Sequence, residues 1–370
     1  MSFNLIRNAR VFFTTNVDSN TGAVKATSTT ATNTFEIQVQ DGFTFSQNTT
    51  SETVTLTEAG ATPVRGQRMF NTALEPVDFS FSTYMRPRDA GTNIDAEEGV
   101  LWNAMFSDTT TGAWTPGTTK ATLVTSASDK HQLVKFGLIV ILDGITFLID
   151  DCVMDTATVD FGLDAIAAVA WTGKGSKLRQ VANPTITGTT FGGSLVGPFF
   201  AKVTTAPYIA NKLSTVTLDG TIGAGGTAYT VALTGGSLTI SNNITYLTPN
   251  NLGTVNQPAV YFTGTRSITG TLNAYLRTGA SLTGGLLSDM LTNSTTSTSP
   301  AYDLKISVGG SGSTTRVDFT MPGVSLNIPA VNVEQVVSTA ITFTAQATSG
   351  GAFDLTQSNE LTVDYYTANP

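Results

Sequence analysis

Chemistry on this chain would have to be built from few groups, because its 370 residues include one histidine, His131, and one cysteine, Cys152. A nucleophilic triad or a multi-histidine metal site could form only around His131, and nothing near it in the sequence completes one. His131 stands just before an apolar run and reads as a surface histidine at a strand edge. Cys152 lies among Phe147, Ile149 and Val153, where it reads as a small buried residue rather than a nucleophile; alone, it makes no internal disulfide. Asp150, Asp151 and Asp155 look like a carboxylate cluster for metal-dependent hydrolysis. Successive strand residues point to opposite faces, so at most Asp151 and Asp155 share one, and no histidine joins them. Gly173-Lys174-Gly175 resembles a piece of a phosphate loop but lacks the Lys-Ser/Thr ending and the helix behind it, and reads as a turn. Arg65, Arg68, Arg86 and Arg88 form a local basic group with two readings, solvated loop charges or an interface. No catalytic residue, cofactor or metal is expected.

The elements that would hold these groups are strands, and they come twice. Residues 35–48 alternate apolar Phe35, Ile37 and Val39 with polar neighbours; residues 229–243 repeat the alternation with Tyr229, Val231 and Leu233. A turn pair follows in each, Asp41-Gly42 or Gly235-Gly236, so each copy predicts a β-hairpin with one wet face. The echo continues in order. Tyr84 and Arg86 match Tyr275 and Arg277, helical signals recur at 101–106 and 286–291, and strands at 133–142 and 304–308. Residues 157–161 return at 324–328, and 169–171 at 341–343. The chain therefore divides into tandem domains at 1–175 and 208–347, a linker at 176–207 and a polar C-terminal tail at 348–370. The connection from Thr49 to Glu75 is too polar for a core and should be an exposed arm, with a shorter, less charged counterpart from Thr248 to Thr263. Asp95, Glu97 and Glu98 precede the first helical signal, where acids suit a helix N-terminus. Asp143-Gly144 joins two apolar runs into a second hairpin, buried on both faces.

Composition agrees with a mainly β chain: 12% charged residues, 40% hydrophobic residues and 35 glycines, with threonine commonest, suit strands and tight turns. A net charge of −8 argues against gripping nucleic acid, since that affinity comes from neutralising phosphates, but it does not exclude letting DNA slide past. No apolar run is long enough for a membrane span, and a secretory h-region is missing, which predicts a protein made and kept in the cytoplasm.

Leu5-Ile-Arg-Asn-Ala-Arg-Val-Phe12, Phe79-Ser-Phe-Ser-Thr-Tyr84 and Asn242-Asn-Ile-Thr-Tyr-Leu-Thr-Pro-Asn250, with Ile37 to Asp41, Thr57 to Gly60 and Pro63 to Gly66, closely resemble the major tail tube proteins of coliphage T-five and its relatives. The resemblance runs from residue 3 to about residue 347; it does not extend to the added immunoglobulin-like domain of the coliphage protein, so no decoration role is carried over. It implies a structural component of a long, flexible, noncontractile tail. Its implied fold is two tandem β-sandwich domains, each with a short flanking helix, whose inner strands share a β-barrel in the assembled ring. It also implies trimeric pseudo-hexameric rings, stacking into a tube, partners in a tape measure protein and tail tip and terminator proteins, and passage of double-stranded DNA.

On that reading the lumen is lined by the polar faces of the repeated strands: Glu36, Gln38, Gln40, Thr44, Ser46, Asp78, Ser80, Ser82, Thr156, Thr158 and Asp160. Because Glu36 and Gln38 answer to Thr230 and Ala232, the wall should alternate in charge. Arg65 and Arg68 on the arm are the candidates for ring-to-ring contact. A rival reading, a carbohydrate-binding or adhesin-like sandwich pair, requires exposed aromatic platforms, whereas Trp102, Trp114 and Trp171 lie in segments that read as core helix, loop and core strand.

Overall fold

The computed structural model describes residues 9–25, 33–54, 67–89, 93–107, 114–124, 132–142, 145–181, 206–220, 228–253, 255–297, 302–310, 314–332, 336–350 and 352–367. The first half holds β1 (Ala9–Thr14), β2 (Thr34–Ile37), β3 (Thr44–Val54), β4 (Arg68–Tyr84), β5 (Pro87–Asp89), β6 (Ile94–Ala96), α1 (Gly99–Phe106), β7 (Trp114–Thr115), β8 (Ala121–Val124), β9 (Phe136–Leu142), β10 (Ile145–Asp160), β11 (Ala168–Gly175) and β12 (Lys177–Val181). The second holds β13 (Thr215–Asp219), β14 (Ala228–Val231), β15 (Leu233–Ser241), β16 (Ile244–Leu247), β17 (Val260–Thr263), β18 (Ser267–Tyr275), α2 (Thr283–Thr296), β19 (Tyr302–Val308), β20 (Arg316–Leu326), β21 (Val331–Asn332), β22 (Ser338–Ala345), β23 (Thr348–Ser349), β24 (Ala352–Phe353) and β25 (Thr362–Tyr366).

The chain is mainly β, as its alternation predicts, and antiparallel ladders arrange it in two layers. One layer is a wide sheet in the order β3-β4-β11-β10-β15-β18-β22-β20. The other consists of two cover sheets, β2-β1-β9-β10-β12 over the first half and β14-β13-β19-β20-β25-β8-β7 over the second. The strands β10 and β20 serve both layers and must bend between them. β10 bends at a bulge where Asp151 takes a positive φ of 51°, and β20 breaks register opposite Tyr302 and Leu304.

Between the layers Phe13 stacks on Phe136 at 4.3 Å and Phe136 meets Phe79 edge-on. Each such ring contributes about 1.5–3 kcal/mol by leaving water. The helix α1 is buried on every side, and its Trp102 packs on Trp171 of the first half and Phe319 of the second. It is therefore a plug between the halves, held by packing rather than by capping. The helix α2 buries only the stripe Thr283, Leu286 and Met290.

Several sequence expectations change here. Residues 35–48 are not a hairpin: β2 pairs with β1 and β3 with β4, so Asp41-Gly42 carries the chain from the cover sheet to the wide sheet. Gly42 has φ +104°, which explains why a turn pair stands at a sheet crossing. In the second copy β14 pairs with β13, and Gly235-Gly236 lies inside β15 at a register shift. Alternation reports which side is wet; it does not name the partner strand. By contrast, β9 and β10 do pair with Leu142 opposite Ile145, and their side chains enter two separate clusters, Leu138 and Val140 in one, Ile139 and Leu148 in the other.

Gly173-Lys174-Gly175 is strand, not turn: a Cβ on Gly173 would sit 2.2 Å from the Phe79 ring. Residues 177–181, expected in a linker, pair with β10, while 182–205 lie outside the described residues. The polar tail expected at 348–370 supplies β25, which joins β20 of the second half to β8 of the first.

Candidate functional site

The wide sheet has one apolar and one polar face. Phe45, Phe79, Phe81, Trp171, Leu238, Ile240 and Phe343 point into the core. Their alternation partners form transverse rows made mostly of Ser and Thr hydroxyls. One row runs Thr44, Ser80, Thr172, Thr156, Ser241, Ser267, each directly opposite the next. A second runs Ser82, Ala170, Thr158, Thr239, Thr269, Thr344, Ser325, and a third Asp160, Ser237, Thr271, Thr342. Neighbouring hydroxyls bond one another, Thr44 with Ser80 at 2.7 Å and Thr156 with Thr172 at 2.6 Å. Such pairs stabilise cross-strand register while leaving a face that is polar and nearly uncharged.

Of the lumen candidates, Thr44, Ser46, Asp78, Ser80, Ser82, Thr156, Thr158 and Asp160 stand together on this face. Asp78 is paired with Lys174 at 2.7 Å. Glu36 belongs to β2 in a cover sheet, level with Phe12, and accepts from Nε and Nη2 of Arg10, each at 2.7 Å. Gln38 and Gln40 lie on the crossing segment; Gln38 accepts from Arg86 and the Gln40 backbone N–H donates to Ser82. The expected alternation of charge around the wall rested on Glu36 and Gln38, which are not part of this face. Sequence alternation continues unchanged across the sheet crossing, so it could not separate these residues from those of β3.

The two edges of the wide sheet are open among the described residues. β3 pairs only with β4, and Ser325–Leu326 of β20 pairs only with β22. At the matching place in the middle of the sheet, Thr156–Asp160 of β10 pairs with β11 on one side and with β15 on the other.

The groups with chemical potential are structural. Asp150 accepts Arg179 at 2.5 and 2.7 Å and the Val24 N–H, Asp151 pairs with Lys135, and the Asp155 carboxylate accepts the Ile244 N–H. No group of three or more ligating side chains that could hold a metal occurs among the described residues. Cys152 is fully buried, its thiol pushed well up by desolvation. His131 and Arg65 lie outside the described residues. The basic group is split. Arg68 is exposed and lies over Phe70, Arg88 pairs with Asp95, and Arg86 is buried over Tyr208 with bonds to Glu97 and the Ala206 carbonyl.

Sequence reasoning missed one buried polar network. Trp102 donates to the Tyr365 hydroxyl at 2.7 Å, and Tyr365 donates to Glu98. Burial pushes the Glu98 carboxyl up to about 7, with the Tyr365 hydrogen bond opposing. Glu98 makes no side-chain capping bond, so it does not cap α1 but ties β25 to the helix. Trp102 and Trp171 are fully buried, which removes the platforms that a carbohydrate-binding reading needs from them.

The fold and the face together define a mainly β protein built around one wide antiparallel sheet with a polar, hydroxyl-rich face and two unpaired edges among the described residues. No family model matches the chain. The tail tube protein pb6 of Escherichia phage T5 is 30% identical over 357 residues, covering 93% of this chain and 73% of that protein. The chain belongs to the T5-like tail tube proteins, structural components of the phage virion tail. No helix among the described residues is long and apolar enough to cross a membrane.

Proposed function

We propose that three copies of this chain close a pseudo-hexameric ring, that rings stack into the tube, and that the hydroxyl face lines a bore through which double-stranded DNA passes. The wide sheet carries this reading. Its halves are already joined edge to edge at β10–β15, and the same two kinds of edge are left open at its ends. Joining β20 of one copy to β3 of the next removes both open edges and their aggregation hazard.

Three such sheets supply about 24 strands; at about 4.8 Å spacing and barrel-like tilt they make a cylinder on the order of 45–50 Å across, with a bore of very roughly 35–40 Å. Duplex DNA fits. A wall of Ser and Thr with few unpaired charges releases no counterions from DNA, so each step of the genome meets little binding energy. The arm's end, with Arg65 and Arg68, is the proposed contact between rings. Partners follow from the tail: a tape measure protein within the tube and tip and terminator proteins at its ends. Assembly takes place in the host cytoplasm, and the chain has no enzymatic role.

The ladders of the two halves, which correspond with a two-residue offset from the sequence repeat at β4 and β10, specify the register to test. Phe45 opposes Phe79 as Ile240 opposes Ile268, and Ala157 opposes Trp171 as Leu326 opposes Phe343. Because Ala157 opposes Ile240 within the chain, Leu326 should oppose Phe45 between chains, with Ser325 against Ser46. Oxidising the variant Ser46→Cys/Ser325→Cys in assembled tubes should give covalent trimers on denaturing gels, and neither single variant should. Tubes that assemble normally yet yield no inter-chain disulfide would refute this ring closure.

A further inference from the structure

The second-half arm shows what an arm in this fold does. Strands β16 and β17 leave the wide sheet at Asn243, which has φ +52°, and lean back over the neighbouring β10–β11 end of the first half. Tyr246 donates to the Asp151 carbonyl, the Tyr261 hydroxyl exchanges bonds with the Leu133 backbone at 2.6 and 2.9 Å, and Ile244, Tyr246, Tyr261, Leu133 and Val153 form one buried cluster. The loop beyond reaches the first-half arm, where the Leu74 N–H donates to Asn256 and the Asn256 N–H to Thr72. The junction β10–β15 is thus clasped from above by the arm of the domain that contributes β15.

The first-half arm is the same element at the other junction. Its ladder runs from Thr49 opposite Leu74 to Val54 opposite Arg68, as that of the second-half arm starts with Ile244 opposite Thr263. Among the described residues it buries no comparable cluster: Val54, Met69 and Phe70 are exposed, Met69 by 63%. The strand it springs from, β3, is one open edge of the sheet. At the other open edge, the end of the β20–β22 ladder is followed by the β23–β24 turn and by Leu355, 96% exposed.

We propose that the first-half arm clasps a second copy of this chain within the same ring, lying over the neighbour's β20–β22 end and the Leu355 loop as β16–β17 lies over β10–β11. The occupant is a second copy because the clasp continues an interface the chain already forms with itself, and exposed apolar groups stand on both sides of it. The greater length of this arm fits the β23–β24 excursion it has to cross, which the β11–β12 connection lacks. This inference rests on the ring reading above.

Replacing Glu52 through Phe70 by an Asn-Gly turn should raise the protein concentration needed for ring formation by at least about tenfold, measured by native mass spectrometry. The paired variant Phe70→Asp/Leu355→Asp alters only exposed side chains, should unfold at the parent temperature and should show the same assembly defect. In assembled parent tubes carrying Met69→Cys/Leu355→Cys, a short bis-maleimide should join neighbouring copies; buried Cys152 stays silent. Rings that form at unchanged concentration from both variants, and fail only to stack, would overturn the clasp while leaving the ring intact. Absence of the inter-chain disulfide in tubes of the Ser46→Cys/Ser325→Cys variant, with the arm intact, would instead remove the ring itself.

Discussion

At the scale of single residues, the charges in this protein hold structure together. Arg179 grips Asp150, Arg10 grips Glu36, and Arg86 ties the segment at Ala206 and Tyr208 to Glu97. Glu98 is the residue with a measurable pH signature. Its folded pKa, about 7, lies above the ordinary 4.5, so between those values the folded state binds the extra proton and stability falls as pH rises. Thermal unfolding between pH 5 and 8 should lose up to about 3 kcal/mol from this group, and Glu98→Gln should flatten that slope. An equally steep slope in the variant would assign the effect elsewhere. Neither the burial of Glu98 nor its partner, more than 260 residues away, is legible from acids preceding a helix. The polarity of Thr44, Ser80 and Thr156 was legible, because strand alternation assigns side-chain direction without reference to the partner.

At the scale of elements, period and turn chemistry identified strands more reliably than they identified pairs. The sheet crossing at Gly42 and the hairpin at Leu142–Ile145 carry similar turn signals, and only their packing separates them. Gly173 illustrates a different limit. Its role comes from the Phe79 ring across one ladder and the Val153 carbonyl across the other, 2.2 and 2.6 Å from where a Cβ would sit, so Gly173→Val should destabilise the fold by about 1–3 kcal/mol or more in chemical denaturation through overpacking. A variant as stable as the parent would mean that the ring and the strand β10 both give way freely. Sequence patterning missed the strands β12 and β25, five residues each, and β25 has the wider consequence. It is short and polar at alternate positions, and it gains its place by completing ladders with both halves.

At the scale of the whole molecule, the proposed ring uses the β10–β15 junction as the template for the junction between copies. The junction β10–β15 is intramolecular and therefore free of the translational entropy cost that the proposed intermolecular junction must overcome. If the hydroxyl rows line the bore, Thr158→Lys/Asp160→Lys should leave tubes intact but slow genome ejection, measured as DNA release from virions. Unchanged release would count against these residues facing DNA. Glu36, held by Arg10 in a cover sheet, should have no such effect.

Sequence alone determined the β class and the resemblance to tail tube proteins, and it supplied the expectation of a two-fold repeat with an exposed arm. These properties depend on composition, local periodicity and the order of motifs, all of which are local to the chain. Tertiary structure decided which polar residues share one face, which edges stay open among the described residues, that a C-terminal segment bridges the halves and that one arm buries Tyr246 and Tyr261 while Val54, Met69 and Phe70 of the other are exposed. Each of those depends on strand partners distant in sequence, and alternation carries no information about which distant strand a ladder will join.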